Sequence, residues 1–512
     1  MISLIVAATA FAAPSLLLEG GLVYDGLGGA PRKSDIRIAG DRIVALGNLE
    51  PMPGETVLQI AGLAISPGFI DSHSHADRGR KPETQIPQGI TTAICGQDGG
   101  WSGPVAKRLG ELDKNPLPYN VAFLSGHGGI REAVMGKSQE RPPTARELYR
   151  MKDLVRSDMK SGAFGLSSGL EYEPGKFAGT SELVALASEI RAFGGIYQSH
   201  VRDEAGGALE SFREVVRIAR EAKVRAQITH IKLGVASVQG KAAEALAIIL
   251  EARRRGLQVS ADVYPYTFWQ ATVRVLTPLP FTGAGSKALW QSAIADVGGP
   301  QNVRISRFTP DKSWEGRTLA ELAARTGKDP PDLVMEIIRR TAGEEDESVI
   351  VTAMLEADVR RFLASPLVMI SSDGSNGSSH PRGAGAYPKV LGRYVREQGL
   401  LSLQQAIRKM TWLPARTFGI KDRGVIRPGA FADLVVFDTS AIRDTSTPDR
   451  PSSPPLGAVH VLVNGRFAMR DGRVTGQKPG KGLRSGGLAP PVRPSARRSP
   501  SWPRSPPIPT RW

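Results

Sequence analysis

Short apolar runs alternate with amphipathic stretches through the middle of the chain. Runs at 63–65 with 69–70, and at 91–95, 119–124, 163–166, 195–199, 225–229, 258–263 and 368–371, have the length of buried strands. Helical periodicity fills several of the gaps, at 180–193, 206–222 and 240–255. Repeated β–α units predict a parallel sheet. About eight strands is the number that closes a (β/α)8 barrel, whose chemistry sits at the C-terminal strand ends. Residues 275–350 break the rhythm. Pro278, Pro280, Pro330, Pro331 and many charges predict an insertion of loops and helices there.

The two chain ends have another pattern. Residues 15–26 and 34–47 are short strand-like runs with glycine turns, and 35–46 alternate around Gly40-Asp41, a hairpin signal. Residues 431–438 and 459–468 repeat that pattern. The expected fold class is therefore α/β. A barrel over 67–424 is flanked by one small β domain, built from 14–66 and 425–484 together.

Composition changes this picture little. With 512 residues, 41% hydrophobic and 23% charged, the chain has ordinary globular proportions. No apolar run reaches the ~18 residues of a membrane span. The net charge of +16 suggests nucleic acid at first sight. Eight of those positives lie between 478 and 511, where there is no acid. Residues 485–512 read as a disordered, basic, Pro/Ser-rich tail, so neither a nucleic-acid nor a membrane partner is expected. One cysteine, Cys95, excludes an intramolecular disulfide. Residues 1–13 hold an apolar core and Ala10-Phe11-Ala12, and resemble a short signal peptide without its basic segment. That predicts a periplasmic or secreted protein, with a cytoplasmic one as the alternative.

The candidate chemistry starts at Ser66-Pro-Gly-Phe-Ile-Asp-Ser-His-Ser-His. Residues i and i+2 of a strand point to one side, so His73 and His75 aim at one point beyond the strand end. Paired imidazoles are a common start for a Zn²⁺ site. His200 ends the run at 195–199, His230 ends the run at 225–229, and Asp373 follows 368–371. Four of the seven histidines at strand ends are hard to explain as packing. His127, in Ser125-Gly-His-Gly-Gly, is a further strand-end candidate.

With these residues the chain resembles the amidohydrolase superfamily, and within it the N-acyl-D-amino-acid deacylases. The matching segments include Gly68-Phe-Ile-Asp-Ser-His-Ser-His, Gly126-His-Gly-Gly-Ile-Arg, Ser199-His-Val-Arg-Asp-Glu, Thr229-His-Ile-Lys, Asp262-Val-Tyr-Pro-Tyr and His380-Pro-Arg. The resemblance implies a TIM-like barrel plus a small β-sandwich from both chain ends. It implies one or two Zn²⁺ ions and a small-molecule substrate, an N-acyl amino acid, and sets no oligomeric state. Where the family carries a bridging cysteine, this chain has Gly96-Gln97-Asp98-Gly99, which places Asp98 at the cysteine's position. Glu171 is a second candidate for the bridge. Cys95 reads as a small buried apolar residue.

The implied reaction activates water on zinc held by His200, His230 and one acid, beside a position formed by His73, His75 and Asp373. Asp373 acts as general base and then acid. Lys232, Tyr264 and Arg382 correspond to the family's clamp for the substrate carboxylate, and His127 is a candidate for orienting the site. Arg202 and Glu204 are expected to pair with each other or to touch substrate. Phe268 and Trp269 suggest an aromatic wall. The alternatives are a dipeptidase, a hydantoinase- or dihydroorotase-like cyclic-amide hydrolase, or a metal-free binding protein on the same fold.

Overall fold

The structure is a computed structural model that describes residues 15–79, 82–136, 139–277, 286–342 and 346–486. The leader-like 1–13, Pro278, Pro280 and the tail from 487 lie outside the described residues.

Eight short strands are buried on both faces and pair in parallel. They are β1 (Phe69–Asp71), β2 (Ile90–Cys95), β3 (Asn120–Phe123, continued by Ser125–Gly126) and β4 (Gly165–Gly169). β5 (Ile196–His200), β6 (Arg225–Ile228), β7 (Val259–Val263) and β8 (Val368–Ile370) complete the set. Each pairs with the next, from Phe69 opposite Ile90 to Ala261 opposite Val368. The chain after β8 returns to the chain after β1. Asp373 N donates to the His73 carbonyl at 2.9 Å, and Gly374–Asn376 pairs with Ser74–Gly79. Continuous apolar runs suit such strands because neither face meets water. The helices between them are one-sided. Ala208–Ala222 buries Phe212, Val215, Ile218, Ala219 and Ala222 along one stripe.

Both chain ends enter one nine-stranded sheet, as their shared pattern predicts. Its central path runs Ala458–Val463, Leu434–Phe437, Ala64–Pro67, Ser15–Val23 and Arg32–Ala39. Leu18, Ile36, Ile65, Leu434 and Leu462 share one apolar core.

Two expectations need correction. The run into His-x-His is two strands, not one. Ala64–Pro67 belongs to the nine-stranded sheet, and β1 begins at Phe69. Gly68 makes the crossing, and a Cβ there would lie 2.1 Å from Thr91 Oγ1. The insertion, expected as loops and helices, also holds strands. Val303–Phe308 and Glu347–Thr352 join Phe268–Ala271 in an antiparallel sheet. Arg304 and Ser306 alternate with buried Val303 and Ile305, a bulge before Arg307 then shifts the register, and this short period-2 signal is hidden by the surrounding charge. Among the described residues no helix is long and apolar enough to cross a membrane.

Candidate metal centre

The strand ends bring the donors together. His73 lies two residues past β1, His200 ends β5, His230 lies two past β6, and Asp373 three past β8. Asp98 is carried by the turn after β2, where Gly96 (φ 79°) could not carry a Cβ, since one would meet the Leu124 carbonyl at 2.6 Å. Seven non-glycine residues among those described have positive φ, and three are Asp98 (54°), His230 (32°) and Asp373 (49°). A left-handed backbone is costly for a residue as bulky as histidine, on the order of 1–3 kcal/mol, and collects where function over-determines the geometry.

Asp98 sits between two histidine pairs. Its Oδ2 is 3.0 Å from His75 Nε2 and 3.4 Å from His73 Nε2. Its Oδ1 is 3.7 Å from His230 Nε2 and 4.0 Å from His200 Nδ1. Asp373 Oδ1 is 3.4 Å from His73 Nε2 and 3.5 Å from His75 Nε2. His200 Nδ1 and His230 Nε2 face each other at 3.0 Å. One ligand atom each from His73, Asp98, His230 and Asp373 falls within 4.8 Å of the others, and the same holds for His200, Glu204 and His230.

These groups fit a metal ion. Both His73 ring nitrogens and Asp98 Oδ1 are buried without a hydrogen-bond partner among the described residues. Leaving such a group unpaired costs about 1–3 kcal/mol, and a central cation would answer several at once. The electrostatics ask for positive charge at the same point. Burial pulls the His73 imidazolium down, but Asp98 and Asp373 outweigh it and hold the ring well above its ordinary pKa. Burial would raise Asp98, yet the charge of His73 and the close approach of the surrounding imidazoles hold it well below the carboxylate range. Mixed imidazole and carboxylate donors are those Zn²⁺ accepts.

Glu171 takes another place. Its Oε2 is 3.0 Å from His200 Nε2, on the ring edge that faces away from Asp98, and burial raises its pKa. Arg202 pairs with Glu214 at 2.9 Å and does not meet Glu204. Glu204 instead turns inward. It takes Lys232 Nζ at 2.6 Å on both oxygens and lies 3.1 Å from His230 Nδ1. Burial would raise this carboxyl, but the charges of His200 and Lys232 hold it below its usual range. Its inward role was not legible because Glu204 lies in a loop, where i,i+4 spacing sets no direction.

Arg382 Nη1 lies 2.6 Å from Asp373 Oδ2, and its guanidinium covers the Tyr264 ring at 4.8 Å. Arg382 Nε and the Tyr264 hydroxyl are buried without a hydrogen-bond partner among the described residues. Burial pushes the Tyr264 phenol up to about 12, so it stays a donor at neutral pH. A cavity of about 960 Å³ is lined by His75, Asp98, Glu171, His200, His230, Lys232, Asp373 and Arg382, while Tyr264 lies outside its lining, behind Arg382 and Lys232. Tyr172, Trp269, Arg307, Ser348 and Ser379 form its outer wall. Of the expected aromatic pair only Trp269 lines it; Phe268 stacks on His380 at 4.7 Å.

His127 is not part of the site. It is fully buried, and its Nε2 bonds Glu182 at 2.9 Å, the same carboxylate that pairs with Arg131. Gly126 and His127 start a helix that carries the ring away from the cavity. Cys95 is buried within β2, and burial pushes its thiol well up, as an inert core residue requires.

Parallel strands ending in four histidines and two aspartates define an α/β metallohydrolase. The chain belongs to the amidohydrolase family, whose profile matches residues 57–469. It is 36% identical over 478 residues to an N-acyl-D-glutamate deacylase of Alcaligenes xylosoxydans xylosoxydans, covering 88% of this chain and 92% of that one. A D-aminoacylase of the same organism is 36% identical over 497 residues, covering 91% and 97%. Among solved structures, the N-acyl-D-glutamate deacylase of Bordetella bronchiseptica superposes with a TM-score of 0.82 at 33% identity, covering 92% of this chain and 100% of that one. That protein was crystallised with zinc and a phosphonate inhibitor that mimics the tetrahedral intermediate of the reaction.

Proposed function

We propose that this chain is a zinc-dependent hydrolase of N-acyl-D-amino acids, releasing a carboxylate and a D-amino acid. The observation that carries the reading is the juxtaposition of two features. Six convergent metal donors stand near Arg382 Nε and the Tyr264 hydroxyl, both buried without a hydrogen-bond partner among the described residues. His73, His75 and Asp373 would hold one metal position and His200 and His230 the other. Asp98, which faces both pairs, would be the ligand shared between them in preference to Glu171, which among these histidines touches His200 alone. Zinc bound there would supply an acidified water and polarise the amide carbonyl.

The other parts of the chemistry belong to the chain. Arg382 holds one oxygen of Asp373 and leaves the other toward the histidines. Asp373 is thereby fixed to take a proton from the attacking water and return it to the leaving nitrogen. Arg382 Nε and the Tyr264 hydroxyl offer two donors to the substrate carboxylate, a charge-assisted arrangement. Lys232 adds positive charge behind them, steadied by Glu204.

The architecture that goes with this reading is a (β/α)8 barrel over 67–424 beside a β-sandwich built from 14–66 and 425–484. The pairing circuit of β1 to β8 supports the first, and the apolar core shared by both chain ends supports the second. Export rests on residues 1–13 alone, and sequencing the mature N-terminus tests it.

The deciding experiment is hydrolysis of paired N-acetyl-D- and N-acetyl-L-amino acids by zinc-loaded protein beside Asp373→Asn. The D series is cleaved, and the mutant loses about 10²–10⁴-fold, the scale of general acid–base catalysis. Cleavage confined to dipeptides or cyclic amides would replace the reading, and a protein that binds no zinc and cleaves nothing would make it a binding protein.

A further inference from the structure

His380 is fully buried, is not among the donors, and touches the clamp. Its Nε2 lies 3.1 Å from the Phe268 carbonyl, which can only accept, so Nε2 carries the proton. Its Nδ1 lies 3.0 Å from the Arg382 backbone N–H, which can only donate, so Nδ1 is a lone pair. One neutral tautomer satisfies both contacts, and a hydrogen bond to a carbonyl is what fixes such a choice. Burial, then the neighbouring Arg382 charge, holds the ring well below its ordinary pKa. The rings of Tyr266 at 5.4 Å and Phe268 at 4.7 Å enclose it.

The two contacts join different parts of the molecule. Phe268 begins the strand Phe268–Ala271, whose Trp269 and Gln270 line the cavity. Arg382 is the first residue of the helix Arg382–Lys389, and its N–H is one of those a helix leaves unpaired. Between Asp373 and this helix runs Gly374-Ser-Asn-Gly-Ser-Ser, a stretch with little stiffness of its own. Gln270 adds a second tie, donating to Ser379 Oγ at 2.7 Å.

We propose that His380 is a positioning residue that sets Arg382 for the substrate carboxylate by tying the start of its helix to the wall strand at Phe268. The proposal rests on the reading of Arg382 as the carboxylate clamp. A simple helix cap would affect stability alone. A positioning residue also sets how well the enzyme tells a carboxylate from its uncharged amide.

The test compares kcat/KM on an N-acetyl-D-amino acid and on its C-terminal carboxamide, for wild type, His380→Asn, His380→Gln and Arg382→Met. The acid-to-amide ratio is taken within one sample, so it does not depend on how much of a variant folds. Wild type prefers the acid by about 10–100-fold, the scale of a charge-assisted hydrogen bond, and Arg382→Met abolishes the preference. His380→Asn keeps only the acceptor facing the Arg382 N–H and His380→Gln only the donor facing Phe268, so each breaks the tie at one end and loses about tenfold in the ratio, through KM for the acid. A wild-type ratio in either His380 variant, or equal losses on both substrates, overturns the positioning role while the clamp stands. No preference in wild type, or an intact one in Arg382→Met, overturns the clamp reading and the proposal with it.

Discussion

At the scale of single residues, direction matters more than residue type. Asp98 and Glu171 are both acids near a strand end, yet only Asp98 faces all four histidines. Its left-handed backbone turns the carboxylate across the mouth, and Asp tolerates that conformation better than most residues. Elemental analysis should separate the two. Asp98→Ala is expected to lose at least tenfold in zinc affinity, while Glu171→Gln retains zinc at close to the wild-type level. Equal loss in both would return the bridge to Glu171. The donors at 73, 75, 200, 230 and 373 were legible because each follows an apolar run. The exclusion of His127 and the pairing of Lys232 with Glu204 were not, because both depend on how a loop or helix leaves its strand.

At the scale of elements, the crossing at Gly68 links the nine-stranded sheet to β1 and so sets the start of the His73 segment. A methyl group at this position collides with Thr91. Gly68→Ala is expected to cost about 1–3 kcal/mol, as overpacking of a tight core does. Thr91→Ala should recover part of that loss, because the two sites are in direct contact and therefore couple. Thermal or denaturant unfolding of both single mutants and the double mutant measures the coupling. Strict additivity would show that strain elsewhere is responsible. The wall sheet is the element most easily overlooked. Its strands are short, Val303–Phe308 is half solvent-facing, and the arginines and prolines around them mask the buried positions that carry the pattern.

At the scale of the whole molecule, a buried lysine should leave a mark on stability. Lys409 is 3% exposed, in the helix Leu403–Met410, and donates to the Ser365 carbonyl just ahead of β8. Burial, then the charge of Arg408, brings its pKa down to about 7. The folded pKa therefore lies below the unfolded value of about 10.4. Between the two, the unfolded chain binds the extra proton, so stability rises with pH across that window. Below about pH 7 the full penalty is present. Lys409→Met keeps the volume and removes the charge, and should stabilise by on the order of 2–4 kcal/mol near pH 6.5, with the gain shrinking toward pH 9. A gain independent of pH between 6.5 and 9 would show that the charge is not the cause.

The sequence by itself determined which segments become the eight parallel strands and which histidines lie at their ends, because side-chain periodicity and residue type are properties of a few consecutive residues. It also determined that both chain ends build one sheet, since they share one alternating pattern. Tertiary structure alone decided which acid stands between the histidine pairs, which cation meets which carboxylate, and where one apolar run divides into two strands. Those outcomes follow from backbone directions at Gly68, Asp98, His230 and Asp373. These are positions where a chain turns out of regular structure, and residue spacing there carries no information about where the next side chain points.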